Sequence, residues 1–252
     1  MLVWQAMIGV VFLAAWESAS RSGGLDPFFF SRPSDVAIRL WAWTTRGTIW
    51  PHVLTTFVEA TLSFAIGALC GVVAGFVLAR APFLSALFDP YIRIGNALPR
   101  VVLAPIFLLW FGLGIWSKVA LGVTVVFFVV FFNTYRGVRE VERVIIDNAR
   151  MLGASERQLV RHVLIPSALT WIFSSLHVSI GLAIIAVVVG EYLGASQGIG
   201  YVIAQAEGVF DTTGVFAGMT ILAAGVLLIG AAVNRLERRL LSWRPDRSDV
   251  NS

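Results

Sequence analysis

The chain has 252 residues and a mass of 27.4 kDa; 58% of its residues are hydrophobic, 13% are charged, and the mean hydropathy is +0.82. A soluble domain carries about 25% charged residues, so this composition excludes soluble enzymes, disordered tails and disulfide scaffolds and places the chain in a bilayer. The net charge of +4 comes from 18 Arg and one Lys against 15 acids, an excess that suits cytoplasmic loops and anionic lipid rather than nucleic acid. The lone Cys70 can make no intrachain disulfide, and three scattered histidines at 52, 162 and 177 with no cysteine cluster offer no metal site.

A helix needs about 20 apolar residues to cross the hydrocarbon core, and six windows meet that length: 2–20, 55–79, 90–112, 116–135, 168–190 and 214–234. They predict an all-α, six-span membrane domain over 1–252. The first window has an alternative reading as a cleavable signal peptide, because Ser18-Ala19-Ser20 resembles a small-residue cleavage site; the missing positive n-region and the long apolar run speak against it. The next connection alternates Trp41, Trp43 and Trp50 with Arg39 and Arg46, a pattern for a segment at the membrane interface. In the second span Ser63, Gly67, Gly71, Gly75 and Ala79 recur every four residues and make one small-residue face, on which another helix can pack closely. The third window contains Pro99 and Pro105, which predict a broken or kinked helix.

Arginine sets the orientation. With the N-terminus inside, the turn at Arg80, the stretch 136–169 and the tail after Asn234 hold 12 of the 19 basic residues, against four in 21–54. Both termini are therefore expected to be cytoplasmic.

The fourth and fifth spans are joined by more than thirty residues of mixed charge. Residues 140–152 read as a helix with Val141, Val144, Ile145 and Ala149 on one side, and Gly153 is a natural stop. Ser155 and Gln158 then form a capping-box pattern ahead of the apolar stripe Leu159, Val160, Val163 and Leu164, and Pro166 ends that helix or begins the next element. Without a partner, this arrangement reads as an amphipathic hairpin resting on lipid headgroups.

Asp147-Asn148-Ala149-Arg150-Met151-Leu152-Gly153-Ala154, followed by Val163-Leu164-Ile165-Pro166, resembles the EAA loop of ATP-binding cassette importer permeases. Asp147 stands for the usual Glu and Asn148 for the first Ala; neither change removes the glycine turn or the short helix. Asn96-Ala97-Leu98-Pro99-Arg100 through Pro105, with Trp110-Phe111-Gly112-Leu113-Gly114, is similar to the third-span signature of the sulfonate, nitrate and taurine branch. So is Gly190-Glu191-Tyr192-Leu193-Gly194 with Gly198-Ile199-Gly200-Tyr201. The resemblance implies the fold of type I importer permeases and a bacterial cytoplasmic-membrane location. It implies a second permease copy, two cytoplasmic ATP-binding subunits and an external solute-binding protein, and solute import by alternating access. The coupling loop would span 136–167, carried by Asp147, Asn148, Ala149, Gly153, Ala154, Ser155, Leu159, Val163, Ile165 and Pro166. No Gly-rich loop ending in Gly-Lys-Ser/Thr surrounds the only lysine, Lys118, which sits at a membrane boundary, so ATP and Mg belong to the partner subunit and this chain is expected to bind no cofactor and to be no enzyme itself.

Arg93, Asn96 and Arg100 fall three to four residues apart on one helical face. Either they line the aqueous path for an anionic solute, or Arg93 snorkels to headgroups while Arg100 pairs with a carboxylate or with carbonyls freed near Pro99. Glu191, closing the fifth span, reads as a gate, a contact to the binding protein or a structural pairing. Tyr201, Glu207 and Asp211 are candidate contacts for the external binding protein. The competing reading, a stand-alone ion-coupled secondary carrier, calls for a membrane-embedded carboxylate chain and an internal repeat. Glu17, Glu59 and Glu191 instead lie toward span ends in the sequence.

Overall fold

A computed structural model describes residues 2–240; the end of the basic tail expected after Asn234, from 241 onward, lies outside the described residues. The helices in chain order are α1 (Leu2–Arg21), α2 (Pro27–Phe30), α3 (Pro33–Thr45), α4 (Trp50–Arg80), α5 (Pro82–Ala97), α6 (Ala104–Phe111), α7 (Ile115–Arg139), α8 (Arg143–Met151), α9 (Glu156–Leu159), α10 (Ile165–Leu193), α11 (Ile199–Gly208) and α12 (Thr212–Leu240). Among the described residues five helices are long and apolar enough to cross a membrane, and α5 with the Arg100–Phe111 segment passes the same test only as a pair bent by 91°, which brings the count to six if the pair is one span. The break falls at Leu98 and Pro99, where proline removes a helical N–H and pushes its predecessor into an extended conformation. The kink expected from Pro99 is therefore a near right-angle turn.

The core is the seam of α4, α7 and α10. The small-residue face of α4 produces it: a Cβ on Gly67 would lie 2.8 Å from the Val126 Cβ, one on Gly71 2.8 Å from the Phe127 carbonyl oxygen, and one on Gly75 2.7 Å from the Phe131 carbonyl oxygen. Only glycine lets the two backbones approach this closely, and dispersion contacts of that kind replace the hydrophobic driving force that is missing between helices in lipid. Ala68, Val126, Val130 and Ala183 fill one part of the seam, and Ala60, Ile184 and Val187 fill another. With 31 residues, α4 is about 46 Å long, longer than the roughly 30 Å hydrocarbon core, so it reaches past the apolar layer.

At the N-terminal side, α1 is largely exposed along its length. It is anchored near its end, where the Glu17 carboxylate accepts from the Ser34 N–H at 3.0 Å and the Ser34 hydroxyl at 2.9 Å, and Trp16 meets Phe216 of α12 at 5.3 Å. Those bonds satisfy an orphan N–H in the first turn of α3, the interface segment expected from its tryptophans.

Candidate coupling loop and the polar seam beneath the outer loops

The segment between α7 and α10 folds as two short helices joined by a glycine turn. α7 runs on to Arg139, and α8 begins at Arg143 behind an extended Glu142, so the helix predicted over 140–152 is shorter at its start. Its end matches the sequence reading. Gly153 has φ +84°, its N–H bonds the Arg150 carbonyl at 2.9 Å, and the Ala154 N–H bonds the Ala149 carbonyl at 3.0 Å, the paired pattern of a Schellman cap. Ser155 then caps α9: its side chain accepts from the Gln158 N–H at 3.3 Å, while the Gln158 side chain accepts from the Ser155 N–H at 2.9 Å.

Pro166 does not end the second short helix. A π-helical turn, Val160–Leu164, carries the chain without interruption from α9 into α10, so 156–193 is one long element with Pro166 in the first turn of α10. The wide turn accommodates the proline ring and its missing N–H. The residues of the candidate coupling loop from 156 onward are therefore continuous with a core span.

Glu156 ties this unit sideways, accepting from Arg150 at 2.9 Å and from Arg80 at the end of α4 at 3.1 Å. Asp147, Asn148 and Ser155 are exposed, Ala149, Ala154 and Val163 half-buried, Leu159 buried, and Ile165 and Pro166 exposed. A cavity of about 270 Å³ lies between the two short helices, lined by residues that include Ala149, Gly153, Leu159 and Val163. Beside it the apolar side chains of the turn and of α8 are uncovered: Leu152 is 88% exposed, Met151 80% and Val144 65%.

For the arginines of the third window the structure favours the second of the two readings: Arg100 holds carbonyls freed near Pro99. α5 stops at Ala97, so Arg93 and Arg100 do not share one continuous helix. Arg93 pairs with Asp89 at 2.7 Å on the exposed side of α5. Arg100 folds back over the end of α5, donating to the Leu98 carbonyl at 3.0 Å, the Asn96 carbonyl at 3.2 Å, the Asn96 side-chain oxygen at 3.1 Å and the Gly95 carbonyl, and its guanidinium stacks 4.5 Å above Phe128. It satisfies the orphan carbonyls of a broken helix.

The outer-loop candidates are also engaged within the chain. Asp211 pairs with Arg39 of α3 at 2.5 Å and accepts from the Gly214 N–H at 3.0 Å, Glu207 accepts from the Tyr192 hydroxyl, and Tyr201 stacks on His52 at 5.9 Å. The turn after α11 also exposes the apolar Val209 and Phe210, the latter at φ 57° and 75% exposed, stacked on Phe28 of α2 at 6.2 Å.

Glu191 lines no open path within the chain. It is 1% exposed, accepting from the Thr56 hydroxyl at 2.6 Å and from the Gly200 N–H at 2.7 Å. Thr56 in turn accepts from the Ile199 N–H at 2.9 Å, so Glu191 and Thr56 together hold the first turn of α11. Gly198 and Gly200 both lie where a Cβ would run into Glu191, which explains physically why small residues follow the Gly190-Glu191 pair. Two buried ionisable side chains went unrecognised in the sequence. Glu59 and Lys118 are each 1% exposed beside Glu191, packed inside the chain although Lys118 lies in the first turn of α7. A signal for Glu59 existed: it stands four residues before Ser63 and continues the packing face of α4 inward.

The family model for the binding-protein-dependent transport system inner membrane component matches residues 67–242. The formylaminopyrimidine transport permease protein ThiX of Halalkalibacterium halodurans is 32% identical over 235 residues, covering 93% of each chain. The taurine transport system permease protein TauC of Escherichia coli is 28% identical over 240 residues, covering 92% of this chain and 86% of TauC. A chain of the MetNI methionine ABC transporter, solved in inward-facing conformations, superposes with a TM-score of 0.60 at 22% identity, covering 76% of this chain and 93% of that one, and so shares the fold of importer permeases. With its membrane-crossing helices, its glycine-turned loop and these matches along nearly its whole length, the chain belongs to the family of inner membrane components of binding-protein-dependent, ABC-type transport systems.

Proposed function

We propose that this permease works as a homodimer in the bacterial cytoplasmic membrane, with both termini and the loop 136–167 on the cytoplasmic side. There it couples to two ATP-binding subunits that carry ATP and Mg, and it takes its solute from an external binding protein. The observation that carries this reading is the uncovered apolar surface of α8 and its turn, held rigid by a Schellman cap, a capping box and an unbroken run into α10. A surface of that kind transmits a partner's movement to a core span, whereas a loose loop would absorb it. Asp147, Asn148, Ala149, Gly153, Ala154, Ser155 and Leu159 form the docking unit, and Val163, Ile165 and Pro166 join it to the span.

The proposed solute is a small organic molecule of the sulfonate or heteroaromatic class, in line with the taurine and formylaminopyrimidine named for the relatives. Selectivity for an anion is not assigned to Arg93 or Arg100, since Asp89 and backbone carbonyls already hold them. On the outer side, the exposed Val209 and Phe210 join Tyr201, Glu207 and Asp211 as the proposed contact for the binding protein.

The test combines topology and capture. A single cysteine at Ser155→Cys in a Cys70→Ser background should react with a membrane-impermeant maleimide only in inverted vesicles, and the tagged permease should retain an ATPase subunit on purification from its host. Labelling of that cysteine in intact cells would overturn the orientation, and purification of a transport-active permease without any ATPase would overturn the coupling.

A further inference from the structure

Three ionisable side chains that the sequence scatters over three spans meet in the buried seam: Glu59 of α4, Lys118 of α7 and Glu191 of α10, each 1% exposed. Their hydrogen bonds differ in kind. Glu191 receives two donors, the Thr56 hydroxyl and the Gly200 N–H, one on each carboxyl oxygen, so both oxygens act as acceptors. Glu59 stands one helical turn after Thr56, whose hydroxyl bonds Glu191 at 2.6 Å, its carboxyl lies against that of Glu191, and its buried Oε2 has no hydrogen-bond partner. The Lys118 ammonium donates to the Leu113 carbonyl at 2.6 Å and the Gly114 carbonyl at 3.0 Å, and its stem packs on Gly190, next to Glu191 in the chain; a Cβ on Gly190 would lie 3.1 Å from the Lys118 Cγ.

The neighbouring elements bring little further charge. On α4, His52 Nδ1 accepts from the Gly198 N–H at 3.2 Å and is committed as an acceptor, while α11 presents backbone N–H groups to the cluster. With all three groups ionised, the seam would hold a net charge of −1, and two carboxylates in contact would repel each other out of reach of water. Buried like charges of this kind do not both ionise, and an uncompensated buried charge is strongly destabilising.

We propose that Glu59 and Glu191 hold one proton between them, with the Glu59 carboxylic acid donating to the Glu191 carboxylate and Lys118 balancing the remaining charge. The trio is then neutral. The bound proton is a fixed part of the structure: it lets Glu191 stay charged at the point where Glu191 fastens the first turn of α11 to the core. The arrangement also accounts for an acid inside the packing face of α4, where the rest of the face is small and uncharged.

Infrared spectroscopy of the purified full-length permease in lipid nanodiscs tests this directly. At about pH 8, solvent-exposed carboxyls are ionised, so a protonated-carboxyl C=O band that shifts in D2O reports a buried acid. The expected result is one such band in the wild-type protein, moved by ¹³C-glutamate labelling and lost in Glu59→Gln. Glutamine keeps a neutral donor toward Glu191, so that variant should also keep its melting temperature. Absence of the band in the wild type, insensitivity to glutamate labelling, or persistence of the band in Glu59→Gln would each overturn the proposal. The first two measurements need only the wild-type protein and decide the matter even where the variant does not fold.

Discussion

Replacing Gly153 with valine should uncouple the permease from its ATPase without unfolding it. Gly153 sits at φ +84°, and no atom lies within 4 Å of where its Cβ would be, so the added side chain meets open space and the whole penalty is conformational. An L-residue in the left-handed region costs about 1–2 kcal/mol, with the β-branch of valine at the unfavourable end. One to two kcal/mol is a factor of about 5–30 in a two-state population. What that factor acts on is the cap itself: the Gly153 N–H bond to Arg150 and the Ala154 N–H bond to Ala149 form only in this geometry. When they open, α8 swings relative to α9, and the Arg150–Glu156–Arg80 link goes with it.

The assay is ATP hydrolysis stimulated by solute-loaded binding protein, measured on the reconstituted complex alongside transport into proteoliposomes. The expected order is Gly153 wild type, then Gly153→Asn, Gly153→Ala and Gly153→Val, because asparagine tolerates the left-handed region better than other side chains. Valine should lower stimulation by about 5–30-fold, at unchanged folded yield. Full coupling in the valine variant would show that this turn does not position the docking helix. Equal losses for asparagine and valine would show that side-chain bulk, rather than backbone conformation, is what matters.

Gly71→Leu should fail at folding rather than coupling, because its Cβ would lie 2.8 Å from the Phe127 carbonyl oxygen and 3.0 Å from the Phe131 N, backbone atoms that have no room to retreat; overpacking of this kind costs about 1–3 kcal/mol or more. Size-exclusion yield and melting temperature check it against Gly225→Ala, whose added carbon meets nothing within 4 Å and should be tolerated; an unchanged melting temperature for Gly71→Leu would refute the packing of α4 on α7. Arg100→Gln should lower the melting temperature, since it removes charged bonds to the carbonyls that end α5 and the stack on Phe128, together worth about 1–3 kcal/mol. Transport per folded molecule should be unaffected, and a stable variant with altered solute preference would return Arg100 to the pathway.

Much of this molecule is legible along the chain because bilayer physics acts locally. A span must satisfy its own backbone and present apolar side chains over about 20 residues, so the helices announce themselves without reference to their neighbours. The four-residue repeat of Ser63, Gly67, Gly71 and Gly75 likewise declares a packing face, and the Gly153 turn with the Ser155–Gln158 box is complete within a few residues. Where the sequence reading went astray, the deciding partner lay far away or across a break. Pro166 was ambiguous until the π turn showed that the helix runs through it. Arg93 and Arg100 shared a face only as long as α5 was taken to continue past Ala97, and Asp211 looked free for a partner protein because Arg39 stands 172 residues before it. Glu59, Lys118 and Glu191 do lie toward the ends of their spans, but a linear chain does not display that they face one another. Only the close approach of α4, α7 and α10, which the glycines permit, brings these three charges into one buried seam, where electrostatics between spans outweighs the local rules that shaped each helix.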